Sequence, residues 1–269
     1  MTKELLDEIL QLEKLELQLE TIRKELFIEI ITEGIDDPGI LKCVFLAGGP
    51  GSGKSFTAKE IFGVGKSAMA SVSAGGLKVI SSDVAFEQAL RKNGINPKDL
   101  ADIEKNDPNF WAYIAGEKGD SIRNRAKDVT KKQQAFYEAG RLGMIIDGTG
   151  DEVLSIRNKM DKAEKLGYDC YMVFVNTSLE VAQKRNAERN RTLSPELVDT
   201  IWKKCQENMG KFQGMFGNNF IIVDNTEYHP VNNSVQKQVD SFLRKPIQNP
   251  IGKKWIATAR ILKNSKLIK

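Results

Sequence analysis

Residues 48–55, Gly48-Gly49-Pro50-Gly51-Ser52-Gly53-Lys54-Ser55, match the pattern G-x-x-x-x-G-K-[ST], and their flanks suit it. Before them, Cys43-Val44-Phe45-Leu46-Ala47 is short and apolar, as a buried parallel strand is. After them, Phe56-Thr57-Ala58-Lys59-Glu60-Ile61-Phe62 reads as the start of a helix. Glycines open backbone conformations closed to other residues, so successive N–H groups can point into one anion-sized hollow. The positive end of the following helix adds to that field. The stretch therefore predicts a loop for the phosphates of a nucleoside triphosphate, lined by Gly48, Gly49, Pro50, Gly51, Ser52, Gly53, Lys54, Ser55 and Phe56. In this reading Lys54 reaches the β/γ-phosphates and the Ser55 hydroxyl holds Mg²⁺.

Composition narrows the class. A chain of 269 residues holds one α/β domain with appendages, or two small domains. No run of about eighteen apolar residues occurs, so no membrane span is expected. The opening residues Met1-Thr2-Lys3-Glu4 lead into a charged amphipathic stretch without a signal-peptide core. Cys43, Cys170 and Cys205 have no paired spacing and read as buried thiols of a cytoplasmic protein. The single histidine, His229, excludes a His-rich metal site and disfavours a Ser-His-Asp hydrolase. Charge is unevenly placed. From Ser241 onward there are eight basic residues and no acidic one, so the remainder of this +4 chain carries −4.

Leucines recur every seven residues at Leu5, Leu12, Leu19 and Leu26, predicting an amphipathic helix over 3–31. That helix either packs on the domain or pairs with a helical partner or a second copy. Gly34 and Asp36-Asp37-Pro38-Gly39 end it. Apolar strands at 42–47, 77–81, 144–147, 170–176 and 220–223 then alternate with helical patterns at 121–140, 152–166, 179–190 and 195–212. Such alternation predicts a parallel sheet with helices on both faces. The domain divisions expected are an arm over 1–34, a nucleotide-binding domain over 40–228 with a helical insertion at 84–140, and a basic extension over 229–269. Pro246, Pro250 and Gly252 break the extension, and 255–262 reads as a short helix with one apolar face. It either docks through Trp255, Ile256, Ile261 and Leu262 or presents its cations to nucleic acid or a protein.

A phosphate-binding loop alone does not separate kinases, GTPases and motor ATPases. Ser81-Ser82-Asp83 ends the second strand, at the sheet edge where ligands bind. Asp83 there either accepts the proton of an attacking hydroxyl or caps the next helix. Ile145-Ile146-Asp147-Gly148 ends the third strand, and Asp147 suits a Mg²⁺ or substrate contact. A motor ATPase would usually carry a second acid where Gly148 stands. Arg185 and Arg189 are four apart, predicting one helix face, and Arg191 enters the following loop. Arginines so placed can neutralise a transferring phosphoryl group, although such a run can also be a solvated face. Val223-Asp224-Asn225-Thr226 is a candidate loop on the adenine side.

Residues 42–226 resemble P-loop kinases of the zeta-toxin and polynucleotide-kinase type, including zeta-toxin-like proteins of large tailed phages. The likeness rests on 48–55, Val79-Ile80-Ser81-Ser82-Asp83, Ile146-Asp147-Gly148-Thr149-Gly150, Lys165-Leu166-Gly167-Tyr168-Asp169 and the arginines 185–191. It implies a three-layer α/β sandwich with five parallel strands and the loop-bearing strand central. It also implies ATP and Mg²⁺ as cofactors, Asp83 as catalytic base, and Arg185 and Arg191 as lid cations. Family members that phosphorylate a nucleotide-sugar carry an arginine after Gly-Thr-Gly, where Asp151-Glu152 stand here. The resemblance therefore does not by itself single out a nucleotide-sugar as the acceptor.

The expected activity is transfer of the γ-phosphoryl of ATP to a hydroxyl of a nucleotide, nucleotide-sugar or nucleic-acid end, in a cytoplasm or, for a phage protein, a host cytoplasm or virion. Lys54, Asp83, Arg185 and Arg191 would carry it, with Ser55 and Asp147 on the metal. Two alternatives stay open: a virion-associated nucleotide-binding protein with interaction arms, and a nucleic-acid-dependent ATPase. The insertion adds Arg123, Arg125, Lys127 and Lys131 near the start of a long helix, facing a possible acceptor.

Overall fold

The computed structural model describes residues 35–63, 75–116, 119–189, 192–227 and 233–264, with single positions at 11, 14, 18 and 73. Apart from those single positions, the helix expected over 3–31 lies outside the described residues, as do Arg191 and His229.

Five strands form one parallel sheet: β1 (Lys42–Ala47), β2 (Lys78–Ile80), β3 (Met144–Asp147), β4 (Asp169–Asn176) and β5 (Phe220–Asp224). Their order across the sheet is β2-β3-β1-β4-β5, which puts the strand before the glycine-rich loop at the centre. Every residue of β1 is buried. Its alternate side chains serve two layers, as the two-residue period of a strand requires. Cys43, Phe45 and Ala47 join one cluster with Met172, Phe174, Phe212 and Phe216. Val44 and Leu46 join another with Val173, Ile61, Phe62, Val239 and Phe242.

Helices cover both faces, making a three-layer sandwich. Helices α1 (Lys54–Phe62) and α9 (Asn233–Arg244) supply the second cluster; α6 (Val153–Lys165), α8 (Pro195–Phe216) and α10 (Pro250–Asn264) cover the first. Helix α7 (Leu179–Ala187) follows β4. Each fully buried Phe or Leu contributes about 1.5–3 kcal/mol relative to exposure, so the two clusters dominate the stability of the sheet.

Between β2 and β3 lie α2 (Ser82–Lys92), α3 (Leu100–Asn106), α4 (Pro108–Ala115) and α5 (Ile122–Ala139). They bury an interior of their own, formed by Phe86, Leu90, Ile95, Leu100, Ile114, Ile122 and Ala126. That cluster explains why the segment could not be read from sheet periodicity.

Two local expectations need correction. Helix α7 ends at Ala187, so Arg189 lies in the turn beyond it and does not share a helical face with Arg185. The C-terminal segment is not broken at Pro250 and Gly252. Pro250 is the first residue of α10, where its missing N–H costs nothing, and Gly252 lies inside the helix. Gly252 is there because α10 crosses the chain at Gly167: a Cβ on Gly252 would run into the Gly167 carbonyl oxygen. Trp255 and Ile256 pack on the first cluster, whereas Ile261 is exposed. Arg244, Lys245, Lys253, Lys254, Arg260 and Lys263 stay at the surface. The link into α10 is tied to the start of β4, where the Asp169 carboxylate accepts from the Gln248 and Asn249 amides and from the Lys42 ammonium at 3.2 Å. This is the opposite end of the sheet from Gly48.

Two tests follow from this packing. Helix propensity favours alanine over glycine by up to about 1 kcal/mol, but the Gly167 backbone cannot yield to a Cβ. Gly252→Ala should therefore destabilise the fold by about 1–3 kcal/mol, seen as a lower urea midpoint; a raised midpoint would refute the crossing. Cys205 lies buried on α8, and burial pushes its thiol up to about 12. The native protein should leave Cys205 unmodified by iodoacetamide at pH 8, whereas a denatured sample should label fully by mass spectrometry. Rapid native labelling would contradict that environment.

Candidate active site

The glycine-rich loop is folded against its surroundings so closely that three positions exclude side chains. Gly48, Gly51 and Gly53 have φ of 154°, 73° and 89°. A Cβ on Gly48 would meet the Val175 carbonyl oxygen, one on Gly51 that of Ala182, and one on Gly53 the Asn225 side-chain amide. The loop is thus held between β4, α7 and the end of β5. Gly53 is the N-cap of α1 and brings no side-chain acceptor, and the first turn carries no acid. Its amides and the helix dipole therefore remain directed at an incoming anion. Lys54 folds over the loop and donates to the Gly48 carbonyl at 2.7 Å, ready to exchange that oxygen for a phosphate oxygen. Ser55 is exposed beside it, and Phe56 is half-buried in the same turn.

Two carboxylates meet this loop from neighbouring strands. Asp147 ends β3, paired with β1 through Leu46. Its Oδ2 accepts from the Ser81 hydroxyl at 3.0 Å, and its Oδ1 is shut from solvent with no hydrogen-bond partner among the described residues. Burial raises the Asp147 carboxyl above its ordinary range. The Lys54 charge and the Ser81 hydrogen bond oppose the rise, and the Asp83 charge adds to it. Lys54 and Asp83 thus both lie within electrostatic reach of Asp147. Asp83 is exposed in the first turn of α2. The alternative that it caps this helix does not hold, because Ser81 is the N-cap and accepts from the Val84 amide at 3.5 Å.

Among the described residues, Arg185 is the arginine brought to the loop. It donates to the Asn225 carbonyl at 2.8 Å, and its guanidinium lies beside Gly53. Arg189 is exposed and separate from it. Asn225 joins these parts. Buried after β5, it donates its side-chain amide to the Ser52 carbonyl at 2.8 Å while its backbone oxygen receives Arg185. The loop after β5 had only a weak signature in the sequence. A buried asparagine whose amide reaches across 173 positions leaves no periodic trace.

Helix α8 braces the site from behind, a role sequence reading missed. Trp202 donates to the Thr177 carbonyl at 2.8 Å, and the Cys205 thiol donates to that of Thr149 at 3.1 Å. Asn208 donates to the Asp151 carbonyl at 2.9 Å. Their successive three-residue spacings put all three on one face of α8, which is the one signal the sequence offered.

Among the described residues no group of three or more His, Cys, Asp or Glu could hold a metal by itself. Mg²⁺ does not require one, since it usually takes one or two protein oxygens together with phosphates and water. The buried, orphaned Asp147 Oδ1 and the exposed Ser55 hydroxyl are hard oxygen donors of the kind such an ion takes. No described helix is long and apolar enough to cross a membrane.

Solved structures are similar at low identity. One from the PezAT chromosomal toxin-antitoxin system of Streptococcus pneumoniae is 14% identical, covers 89% of this chain and 93% of its own, and has a TM-score of 0.44. A gluconokinase from Sinorhizobium meliloti is 15% identical over 84% of this chain and 97% of its own, with a TM-score of 0.36. Shikimate kinase from Acinetobacter baumannii in complex with shikimate is 14% identical over 86% and 97%, with a TM-score of 0.34. Likeness at this level assigns no substrate. A search of curated protein sequences finds no match. A family model described as an AAA domain matches residues 44–211, from β1 into α8 and well over half of the chain. The chain belongs to this AAA-domain family, AAA_33.

Proposed function

We propose that the protein is an ATP-dependent phosphotransferase acting on a hydroxyl acceptor, with a nucleotide, nucleotide-sugar or nucleic-acid end as the acceptor classes considered. The observation that carries this reading is the convergence of Lys54, Asp83 and Asp147 at the carboxyl ends of adjacent strands, with Arg185 on the far side of the loop. A loop that only stored nucleotide would not need an exposed carboxylate one strand away, and Ser81 already performs the capping task.

In this reading the amides of the loop and Lys54 hold the β/γ-phosphates of ATP. Ser55 and Asp147 would hold Mg²⁺, which when bound neutralises charge on the β- and γ-oxygens. Asp83 accepts the proton of the acceptor hydroxyl as its oxygen bonds to the γ-phosphorus. The bond between that phosphorus and the β,γ-bridging oxygen breaks, and ADP leaves with the electron pair. Lys54 and Arg185 balance the charge spread over the moving group. Arg191 is a second lid cation in this proposal, although it lies outside the described residues. Gly148, in place of a second acid, gives no group to activate water in a motor-type site.

Transfer from γ-labelled ATP into nucleosides, nucleotide-sugars and 5′-hydroxyl oligonucleotides tests the activity. Lys54→Ala should abolish transfer and weaken ATP binding; near wild-type turnover would remove the loop from the mechanism. Asp83→Asn should keep ATP affinity and lower transfer by roughly 10²–10⁴-fold, the span of a lost general base. Unchanged activity in that variant would move the base elsewhere.

A further inference from the structure

We propose that Arg123 binds an anionic group on the phosphoryl acceptor, so that the acceptor is a hydroxyl compound carrying a phosphate or carboxylate. This rests on the phosphotransferase reading and deepens it by naming the residue that meets the acceptor's charge. Of the four cations that open the long helix α5, the structure singles out Arg123. Arg125 donates to Asp120 at 2.9 Å and lies over the Tyr113 ring, so its charge is already matched. Lys131 pairs with Asp128 at 3.4 Å, and Lys127 is exposed. Arg123 is half-buried, with its guanidinium 5.3 Å over the Phe86 ring. Among the described residues it has neither a carboxylate nor a hydrogen-bond acceptor. A ring contact leaves the N–H donors of a guanidinium for oxygen ligands.

Position adds the second part of the argument. Phe86 lies three residues beyond Asp83 on α2, so ring and carboxylate are neighbours on the helix surface. Arg123 therefore lies over a ring that stands one helical turn along α2 from the proposed base. It is the second residue of α5, whose first turn contains no acid, so the helix dipole adds to its positive field. A partly desolvated charge without a counter-ion is costly to maintain, and a bound anion removes that cost. The planar fork of arginine matches two oxygens of a phosphate or carboxylate.

The experiment has two arms. In the first, the Nε–H resonance of Arg123, assigned by its loss in Arg123→Lys, is followed by NMR during titration with inorganic phosphate and with acetate. A non-hydrolysable ATP analogue and Mg²⁺ fill the nucleotide loop throughout. A saturating shift is expected with at least one anion. In the second, transfer is compared within pairs that differ by one anionic group, adenosine with AMP and glucose with glucose 6-phosphate. The anionic member should be preferred, and Arg123→Met should raise its KM by about 10- to 100-fold while moving the KM for ATP less than twofold. Arg123→Lys should recover part of that loss. An unmoved resonance overturns the proposal, as does equal use of neutral and anionic members. A shift without transfer to any compound sinks the phosphotransferase reading and leaves the anion site standing. Met keeps the stem that packs on Phe86; if the variant does not fold, the wild-type titration decides.

Discussion

The close approach of the loop 48–53 to β4, α7 and Asn225 is the constraint on which the site depends. Glycine at 48, 51 and 53 lets backbone meet backbone where a Cβ would collide with Val175, Ala182 or Asn225. The Asn225 amide then fixes the Ser52 carbonyl, and its own backbone oxygen receives Arg185. A single buried residue after the last strand thus couples the glycine-rich loop to Arg185. An anion meeting this loop finds amides already oriented, so little reorganisation accompanies binding.

Charge around the loop is arranged by depth. Asp147 is drawn into the interior, where desolvation favours its neutral form and Lys54 opposes that preference. Asp83 remains at the surface one strand further on. The two acids share chemistry and differ in burial, which is how one fold can give two carboxylates separate tasks. The separation comes from the strand order. Strand β3 lies between β1 and β2, so its acid is flanked on both sides, whereas β2 is an edge strand with its acid in the open.

The other end of the sheet is built for closure. There Asp169 collects two backbone amides and the buried Lys42 ammonium, which also lies 4.7 Å over the Phe242 ring. Burial lowers the Lys42 pKa from its ordinary range, and Asp169 opposes the shift. Helix α10 locks on through the Gly167–Gly252 crossing, so the apolar face of the basic extension is part of the core. Its described cations are left wet, and none is drawn toward the nucleotide loop. Composition alone left docking and partner binding both open for the extension, because charge counts do not record which face of a helix is covered.

The sequence by itself determined the parallel α/β class, the central loop-bearing strand and the identity of the phosphate loop. It could do so because these are local signals: β1 is buried on both faces and reads as an unbroken apolar run, and the loop chemistry is written in eight consecutive residues. It also brought Asp83, Asp147 and Arg185 forward, since each follows a strand or its helix at the ligand-bearing edge. Only the tertiary structure decided which residue caps α2, that Arg189 leaves the helical face, and that Asn225 holds the loop. It also decided that Arg123, half-buried over the Phe86 ring, has no carboxylate partner among the described residues. These depend on contacts between positions tens to more than a hundred residues apart, where side-chain geometry, burial and exclusion by neighbouring backbone decide between partners that spacing leaves equal.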